Sequence, residues 1–183
     1  ILKEEFPGLS LPEQNYGYSS TLDIDNAFAY KHKGFVRTIG GLLKGMTDGS
    51  FGQRLRVLMG NEKDPYDTFE LQNQLHKKYE VSPTYFFLLG DYGVNDKNVP
   101  TKNKHFQSLI KSLADYHDIG IHPSYASNES RGQLQKEVER LRAFTHRSVK
   151  KSRQHFLRLG LPDTYRNLID LDIQEDHTMG YAE

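Results

Sequence analysis

The sequence contains no cysteine, and no run of apolar residues approaches the roughly 20 that a membrane-spanning helix needs. Without cysteine there is neither a disulfide framework nor a thiolate metal site, so histidine and carboxylate side chains are the only strong metal ligands available. The chain also lacks net charge, because 24 Lys and Arg residues balance 24 Asp and Glu residues. This balance gives no electrostatic argument for nucleic-acid binding or for disorder.

The length of 183 residues fits one domain with a real core, or part of a larger barrel-type domain. Residues 1–19 are rich in Pro, Gly and Tyr without periodicity, and we interpret them as an extended lead-in to a domain over 20–183. Because the chain starts at Ile1 rather than Met and stops at Glu183 directly after a predicted strand, we interpret both ends as truncated. No signal peptide is present, which favours a cytoplasmic location, and loss of a targeting segment is the alternative.

Strands alternate with helices along most of the chain, which predicts βα units and a parallel sheet or barrel. Five strands are predicted, starting near residues 20, 84, 118, 151 and 174. Between them apolar residues recur at helical spacing, first at Phe35, Ile39, Leu42, Leu43 and Met46. Five strands are few for a closed α/β barrel, where eight are typical, and truncation is the simplest explanation. An unclosed barrel exposes sheet edges, which predicts a possible homo-oligomer.

Two carboxylates lie two residues apart on the first predicted strand, Asp23 and Asp25. Strand alternation places both on one face, where like charges are costly unless a metal ion or a basic residue lies between them. A solvated strand end, with Asp25 or Asn26 capping the next helix, explains the same residues. The pair by itself leaves both interpretations open.

Histidines and one arginine follow the later predicted strands, at the ends where α/β barrels gather their functional residues. His122 ends the strand around 118–122, Arg153 and His155 share one face of the strand around 151–157, and His177 lies in the last strand. One carboxylate with two imidazoles suits Zn²⁺ or a similar divalent ion. We interpret the other histidines as surface or satisfied core residues: His32, His76, His105, His117 and His146.

Three segments resemble the motifs of the NodB-homology polysaccharide deacetylases, in a divergent branch. Thr21-Leu22-Asp23-Ile24-Asp25 is similar to the family's T-F-D-D strand, and Arg153-Gln154-His155 to its R-x-P-Y segment. The most specific match is His117 to His122, six positions that fit the family's H-E-I-G-N-H with conservative changes. The resemblance covers roughly residues 20–183.

The chain departs from the family pattern at three points. Ile24 separates two Asp residues that are adjacent in the family, and Ala126 stands where the family has its second metal-binding His. His155 is our candidate for the replacement, with His177 as the reserve. The family's late motifs, which include a Leu-x-His supplying a general acid, are expected beyond Glu183.

The resemblance implies a bacterial-type, metal-dependent hydrolase that removes an acetyl group from an N-acetylated or O-acetylated sugar. It implies a divalent metal on Asp25, His122 and His155, with Zn as the first choice and Co, Ni or Fe as alternatives. Asp23 would then be the catalytic base and Arg153 the cation that holds it ionised. The implied partner is a carbohydrate, with no nucleic acid and no transmembrane segment.

Two other functions fit the same sequence. The missing second His and late motifs favour a degenerate deacetylase-like module that binds carbohydrate or metal without catalysis. A purely structural domain is the third, although polar groups at several strand ends are more than packing requires.

Overall fold

The structure is a computed structural model that describes residues 5–6, 8 and 16–180. Most of the predicted lead-in over 1–19, and the end of the predicted domain at 181–183, therefore lie outside the described residues. Within the described residues, no helix is both long enough and apolar enough to span a bilayer.

A five-stranded parallel sheet forms the centre of the molecule, and six helices flank it in the described part of the chain. The strands are β1 (Thr21–Ile24), β2 (Thr84–Leu88), β3 (Asp118–His122), β4 (Lys151–Ser152) and β5 (Glu175–Asp176). The helices are α1 (Phe35–Asp48), α2 (Phe51–Leu58), α3 (Phe69–Lys78), α4 (Lys104–Ala114), α5 (Arg131–Thr145) and α6 (Asp163–Asp170). Two short 3₁₀ turns, Ala126–Glu129 and His155–Leu157, follow β3 and β4.

The strand order follows the chain, β1-β2-β3-β4-β5, with every neighbouring pair parallel. A doubly wound sheet reverses its order part of the way along, whereas an α/β barrel keeps the order of the chain. The sheet also curves. Its curvature is seen at Arg153, one residue after β4, whose guanidinium reaches β1 and donates to Thr21 Oγ1 at 3.1 Å. The predicted α/β, barrel-like architecture is confirmed.

The two faces of the sheet have different roles. Strand register aligns Ile24, Phe87 and Ile121, and all three belong to the apolar core between the sheet and the helices. Asp23, Phe86 and Gly120 align in the same way on the opposite, concave face. The helices contribute these core residues: Phe106 and Ile110 from α4, Leu134, Val138 and Leu141 from α5, and Leu168 from α6. Each large apolar side chain buried there contributes about 1.5–3 kcal/mol.

The last two strands are shorter than predicted, with two residues each instead of the ranges around 151–157 and 174–179. The backbone of Arg153 still donates to Ile121 O, which extends the contact with β3 by one residue. Beyond it the chain turns into the 3₁₀ segment, where Phe156 and Leu157 have positive φ values of 58° and 52°. That conformation cannot continue a strand.

Helix α1 forms as predicted, but its apolar stripe faces outward: Phe35 is 80% exposed and Met46 69%. The contact between α1 and α2 runs along glycines instead. A Cβ atom on buried Gly45 would lie 3.0 Å from the backbone of Phe51, so only glycine permits this approach. Because α1 packs through its glycine face, the larger apolar side chains remain on the surface.

Candidate metal centre

Asp25 follows β1 directly and presents its carboxylate to the concave side of the sheet. The loop after it is held by Asp64, whose carboxylate accepts the backbone N–H groups of Ala29, Tyr30, Lys31 and Tyr66 at 2.7–3.1 Å. Burial by itself would raise the pKa of Asp64, yet these four donors lower it. A buried, ionised Asp64 therefore fixes the path of the chain leaving the first strand.

His122 ends β3 and is 2% exposed. Its Nδ1 lies against the backbone carbonyl of Arg153, and a carbonyl can only accept, so Nδ1 carries the proton. The other ring nitrogen, Nε2, lies 3.2 Å from Asp25 Oδ1, at hydrogen-bond distance, and would exchange that hydrogen bond for a bond to a metal ion where one is bound. This is the arrangement of a metal-binding histidine, whose second nitrogen is held by a carbonyl or carboxylate.

His155 reaches the same point from the 3₁₀ turn after β4. Its backbone N–H donates to Pro123 O at 3.1 Å, which joins this turn to the segment following β3. Its Nδ1 lies 3.0 Å from Asp96 Oδ1, and its Nε2 lies 3.7 Å from Asp25 Oδ2. Both imidazoles therefore face Asp25 with Nε2.

Asp96 is a residue of this site that the sequence analysis did not single out. It is 3% exposed, and besides His155 it accepts the backbone N–H groups of Tyr125 and Ala126 at 2.8 and 3.3 Å. It lies in the loop over 90–103, which has no periodicity from which a contact could be predicted. The length of that loop was the available signal, since long loops in compact domains are often functional.

The Ser124 segment after His122 is held from helix α5 by Glu137, another residue that the sequence analysis passed over. Glu137 is fully buried and accepts the Ser124 N–H at 2.9 Å, the Ser124 hydroxyl at 2.6 Å and the Gln133 amide at 2.9 Å. Burial raises the pKa of Glu137, and these hydrogen bonds offset only part of that rise.

The electrostatics of the group favour positive charge between its carboxylates. Hydrogen bonds from His122, and then from His155, hold the pKa of Asp25 far below its ordinary value, although burial opposes this. Burial would lower the pKa of His155, but its hydrogen bonds to Asp25 and Asp96 raise it overall. A cation at this position is therefore stabilised from two sides.

The donor atoms of Asp25, His122 and His155 all lie within 4.8 Å of one another. Ligands at about 2.0–2.1 Å from zinc in a tetrahedral site lie roughly 3.4 Å apart. Nε2 of His122 lies 3.2 Å from Asp25 Oδ1, and Nε2 of His155 lies 3.7 Å from Asp25 Oδ2, so the two separations lie just below and just above that value. A nitrogen and oxygen donor set of this kind fits zinc and other divalent transition metals, with positions left for water or substrate.

Asp23 and Arg153 form a second pair on the same rim. Arg153 Nε lies 3.5 Å from Asp23 Oδ2, and the two side chains are 27% and 31% exposed. Within the described residues this Nε is buried without a hydrogen-bond partner. Arg153 thus contacts Asp23 through its side chain and His122 through its carbonyl, and so joins the two parts of the site.

The remaining polar groups at the strand ends lie apart from this centre. His177 packs its ring 5.2 Å from that of Phe86 and pairs with Glu175 at 3.6 Å. Asp91, just beyond β2, forms surface ion pairs with Lys136 and Arg140. Among the described residues, the group of possible metal ligands includes none of the histidines predicted to be incidental: His32, His76, His105, His117 and His146.

No protein-family model matches the sequence, and no curated protein matches it. Among solved structures, a CE4-family pseudoenzyme from Bacillus anthracis, BA3943, is 18% identical over 56% of this chain and 35% of its own, with a TM-score of 0.43. A BA3943 mutant described as having restored enzymatic activity is 19% identical over 56% of this chain and 36% of its own, with a TM-score of 0.43.

A protein from Mycobacterium smegmatis, assigned as a polysaccharide deacetylase, is 15% identical over 86% of this chain and 49% of its own, with a TM-score of 0.47. This chain thus spans between 35% and 49% of the length of these proteins. The descriptions of these proteins name the CE4 family in one case and a polysaccharide deacetylase in the other.

Proposed function

We propose that this chain carries the active site of a metal-dependent hydrolase that removes acetyl groups from an N-acetylated or O-acetylated sugar. The observation that carries the proposal is the convergence of Asp25, His122 and His155, with donor atoms within 4.8 Å of one another. A free carboxylate, Asp23, and its partner Arg153 lie on the same rim. These are the parts that hydrolysis of an amide or ester bond requires.

Asp25, His122 and His155 would hold the metal ion. The chemistry that a divalent ion supplies in such a site is acidification of water and polarisation of a carbonyl. Asp23 lies two residues, or roughly 7 Å, along the strand from Asp25, and so lies near the metal ligands without being one of them. It takes the proton of the attacking water. Arg153 orients Asp23 through their ion pair, and Thr21 Oγ1 accepts a hydrogen bond from the guanidinium and holds it in place.

The cavity next to Asp96, the residue that holds His155, suits a sugar ring. This cavity of about 450 Å³ is lined by Tyr92, Tyr125, Asp96 and Ala126. Aromatic rings with a few convergent polar groups are typical of sites for small polar rings, whose faces are apolar and whose edges are polar.

A second candidate is a module that binds metal or carbohydrate without turnover. One observation favours it: Ala126, which donates its backbone N–H to Asp96, occupies the position of the family's second metal-binding histidine. The two candidates share the metal centre and differ in whether Asp23 acts as a base.

Metal content after purification, followed by acetate release from chito-oligosaccharides, separates the candidates. We expect Asp23→Asn to keep the metal and lose about 10²–10⁴-fold in turnover, because only proton transfer is removed. His155→Ala is expected to lose the metal, whereas His177→Ala, the matched control, keeps it.

Metal binding without acetate release by the wild-type protein would favour the second candidate. Absence of metal from the wild-type protein, after supplementation with zinc, cobalt, nickel and iron, would contradict the hydrolase and a metal-binding module, and would favour a structural domain.

A further inference from the structure

A second cavity, of about 390 Å³, shares one wall residue, Tyr92, with the cavity next to Asp96. Its walls come from the loop after β1 and from helices α1 and α2. Four cationic side chains line this cavity together with two tyrosines: Lys33, Arg37, Lys44 and Arg54 with Tyr30 and Tyr92. We refer to it as the basic cavity.

The hydrogen-bond acceptors of the two arginines are neutral groups. Arg37 donates to the carbonyls of Lys97 and Asn98 at 2.9 Å and lies 4.2 Å from the centre of the Tyr92 ring. Arg54 donates to Ser50 Oγ at 2.7 Å and lies 4.6 Å from the centre of the Tyr30 ring. Carbonyl, hydroxyl and aromatic contacts orient a guanidinium without neutralising it.

Little negative charge compensates these cations. Asp48 lies 3.8 Å from Arg54, and within residues 16–180 no carboxylate forms an ion pair with Lys33 or Lys44. Asp64 is near Lys33, but its carboxylate oxygens already accept four backbone N–H groups. Converging cations repel one another, so this arrangement costs folding free energy that an anion in the cavity would offset.

The ionisation of Lys33 reflects this imbalance. Burial, and then repulsion from Arg37 and Arg54, lower the pKa of Lys33 to about 8, with attraction from Asp64 opposing them. At neutral pH Lys33 is still mostly charged, but it loses its proton more easily than an exposed lysine does.

We infer that the basic cavity binds the carboxylate or phosphate of an acidic sugar, so that the substrate of the proposed hydrolase is an anionic glycan. That the glycan is a substrate rests on the proposed function, whereas its binding rests on the basic cavity alone. Because Tyr92 lines both cavities, one glycan can extend from the basic cavity into the cavity next to Asp96. Lys33 and Lys44 contact the anionic group, and the positive charges of the two arginines attract it from a longer distance.

Binding is measured by calorimetry on the metal-free protein, with glucuronic acid, glucose 6-phosphate, glucose and inorganic phosphate as probes. We expect the two acidic sugars to bind at least about tenfold more tightly than glucose or inorganic phosphate. Lys33→Gln should weaken this binding about tenfold, and Lys77→Gln, which removes an exposed lysine of α3, should leave it unchanged. A thermal melt of each variant checks that it is folded.

The pH dependence gives a second readout. Glucuronic acid binding should weaken between pH 7 and pH 9 in the wild-type protein, because Lys33 loses its charge there, and should stay level in Lys33→Gln. The other groups facing Lys33 keep their charge over this range, namely Arg37, Arg54 and Asp64. Equal binding of glucose and glucuronic acid, or wild-type affinity in Lys33→Gln, would overturn the inference. So would inorganic phosphate binding as tightly as the sugar phosphate.

His155→Ala separates this inference from the proposed function. The variant should bind glucuronic acid like the wild type, because the basic cavity contains no metal ligand. Retained acidic-sugar binding by a protein that releases no acetate would contradict only the proposed function. Equal kcat/KM on neutral and acidic oligosaccharides would contradict only the inference.

Discussion

At the scale of single residues, the candidate metal centre depends on a side chain that is not one of its three candidate ligands. Asp96 fixes the ring of His155 through Nδ1, so that Nε2 faces Asp25. His122 receives the equivalent support from a backbone carbonyl, which no substitution can remove. His155 is therefore the ligand whose orientation a single side-chain change can disturb.

We expect Asp96→Asn to weaken zinc binding about 10–100-fold, because an amide holds the imidazole less firmly than a carboxylate and can present the wrong atom to Nδ1. Competition with a chromophoric chelator measures the change. Asp91→Asn is the matched control in the same loop, since Asp91 pairs only with surface lysine and arginine side chains. Equal losses in the two variants would show that the loop as a whole, and not the Asp96 contact, sets the affinity.

The site residues differ in how far the sequence could predict them. The direction of His122 follows from its position at the end of an apolar strand, and strand alternation places Asp23 and Asp25 on one face. His155 meets Asp25 for a different reason from the one predicted, because it lies in a 3₁₀ turn and not on a strand. Only the length of its loop pointed to Asp96, since its partner is 59 residues away and no periodicity links them.

At the scale of the secondary-structure elements, strand β3 depends on the absence of a side chain at Gly120. A Cβ atom there would lie 2.4 Å from the Phe86 ring of β2 and 2.9 Å from the carbonyl of Lys151 on β4. Phe86 is fully buried, and the carbonyl belongs to the backbone, so neither has room to move.

Gly120→Ala should therefore destabilise the protein by about 1–3 kcal/mol through overpacking. Gly132→Ala makes the same change near the start of helix α5, where nothing lies within 4 Å, and should stabilise by about 0.5–1 kcal/mol. Urea unfolding of both variants measures the difference. A Gly120→Ala protein as stable as the wild type would mean that β2 and β3 do not pack as described.

Glu137 gives the link between helix α5 and the turn after β3 a pH dependence. Its pKa is raised in the folded protein, so the folded state binds the proton more tightly than the unfolded chain does. Its contribution to stability is then complete below the unfolded pKa of 4.5 and is lost as the pH rises through the folded value.

In Glu137→Gln this titration is absent, and the Gln oxygen can still accept the Ser124 N–H. We expect the free energy of unfolding of the wild type, relative to Glu137→Gln, to be largest near pH 4.5 and to fall toward pH 7. Glu139→Gln, an exposed neighbour on the same helix, controls for charge. A difference that rises with pH would mean that Glu137 is ionised more easily in the folded state than in the unfolded chain.

The elements themselves were largely predictable, and their burial was not. The continuous apolar run at Tyr85–Leu89, between Pro83 and Gly90, is typical of a strand buried on both faces, and β2 is such a strand. The apolar stripe of α1 predicted a helix equally well, but could not reveal that the glycines would take the contact with α2. Periodicity reports which face of an element is apolar, and the approach of the neighbouring element decides which face is covered.

At the scale of the whole molecule, the strand order follows from the alternation of strands and helices, whereas the curvature of the sheet does not. That curvature brings Arg153 beside β1, and with it the ends of β1, β3 and β4 to one point. In the described part of the chain β1 and β5 are the edges of the sheet, and self-association through them stays a prediction. A metal ion at the meeting point would join segments more than 90 residues apart in the sequence, from Asp25 to His122.

Zinc should for this reason stabilise the entire fold and not only a local loop. A ligand that binds only the folded state at 100 times its dissociation constant adds about 2.7 kcal/mol, which raises the melting temperature of a domain of this size by about 5–10 °C. Calorimetry with and without zinc measures the shift. His155→Ala should show little of it and His177→Ala all of it, because only the first removes a donor from the group around Asp25. A shift of equal size in both variants would place the ion elsewhere, and the three strand ends would then owe their convergence to packing and to the imidazole–carboxylate hydrogen bonds alone.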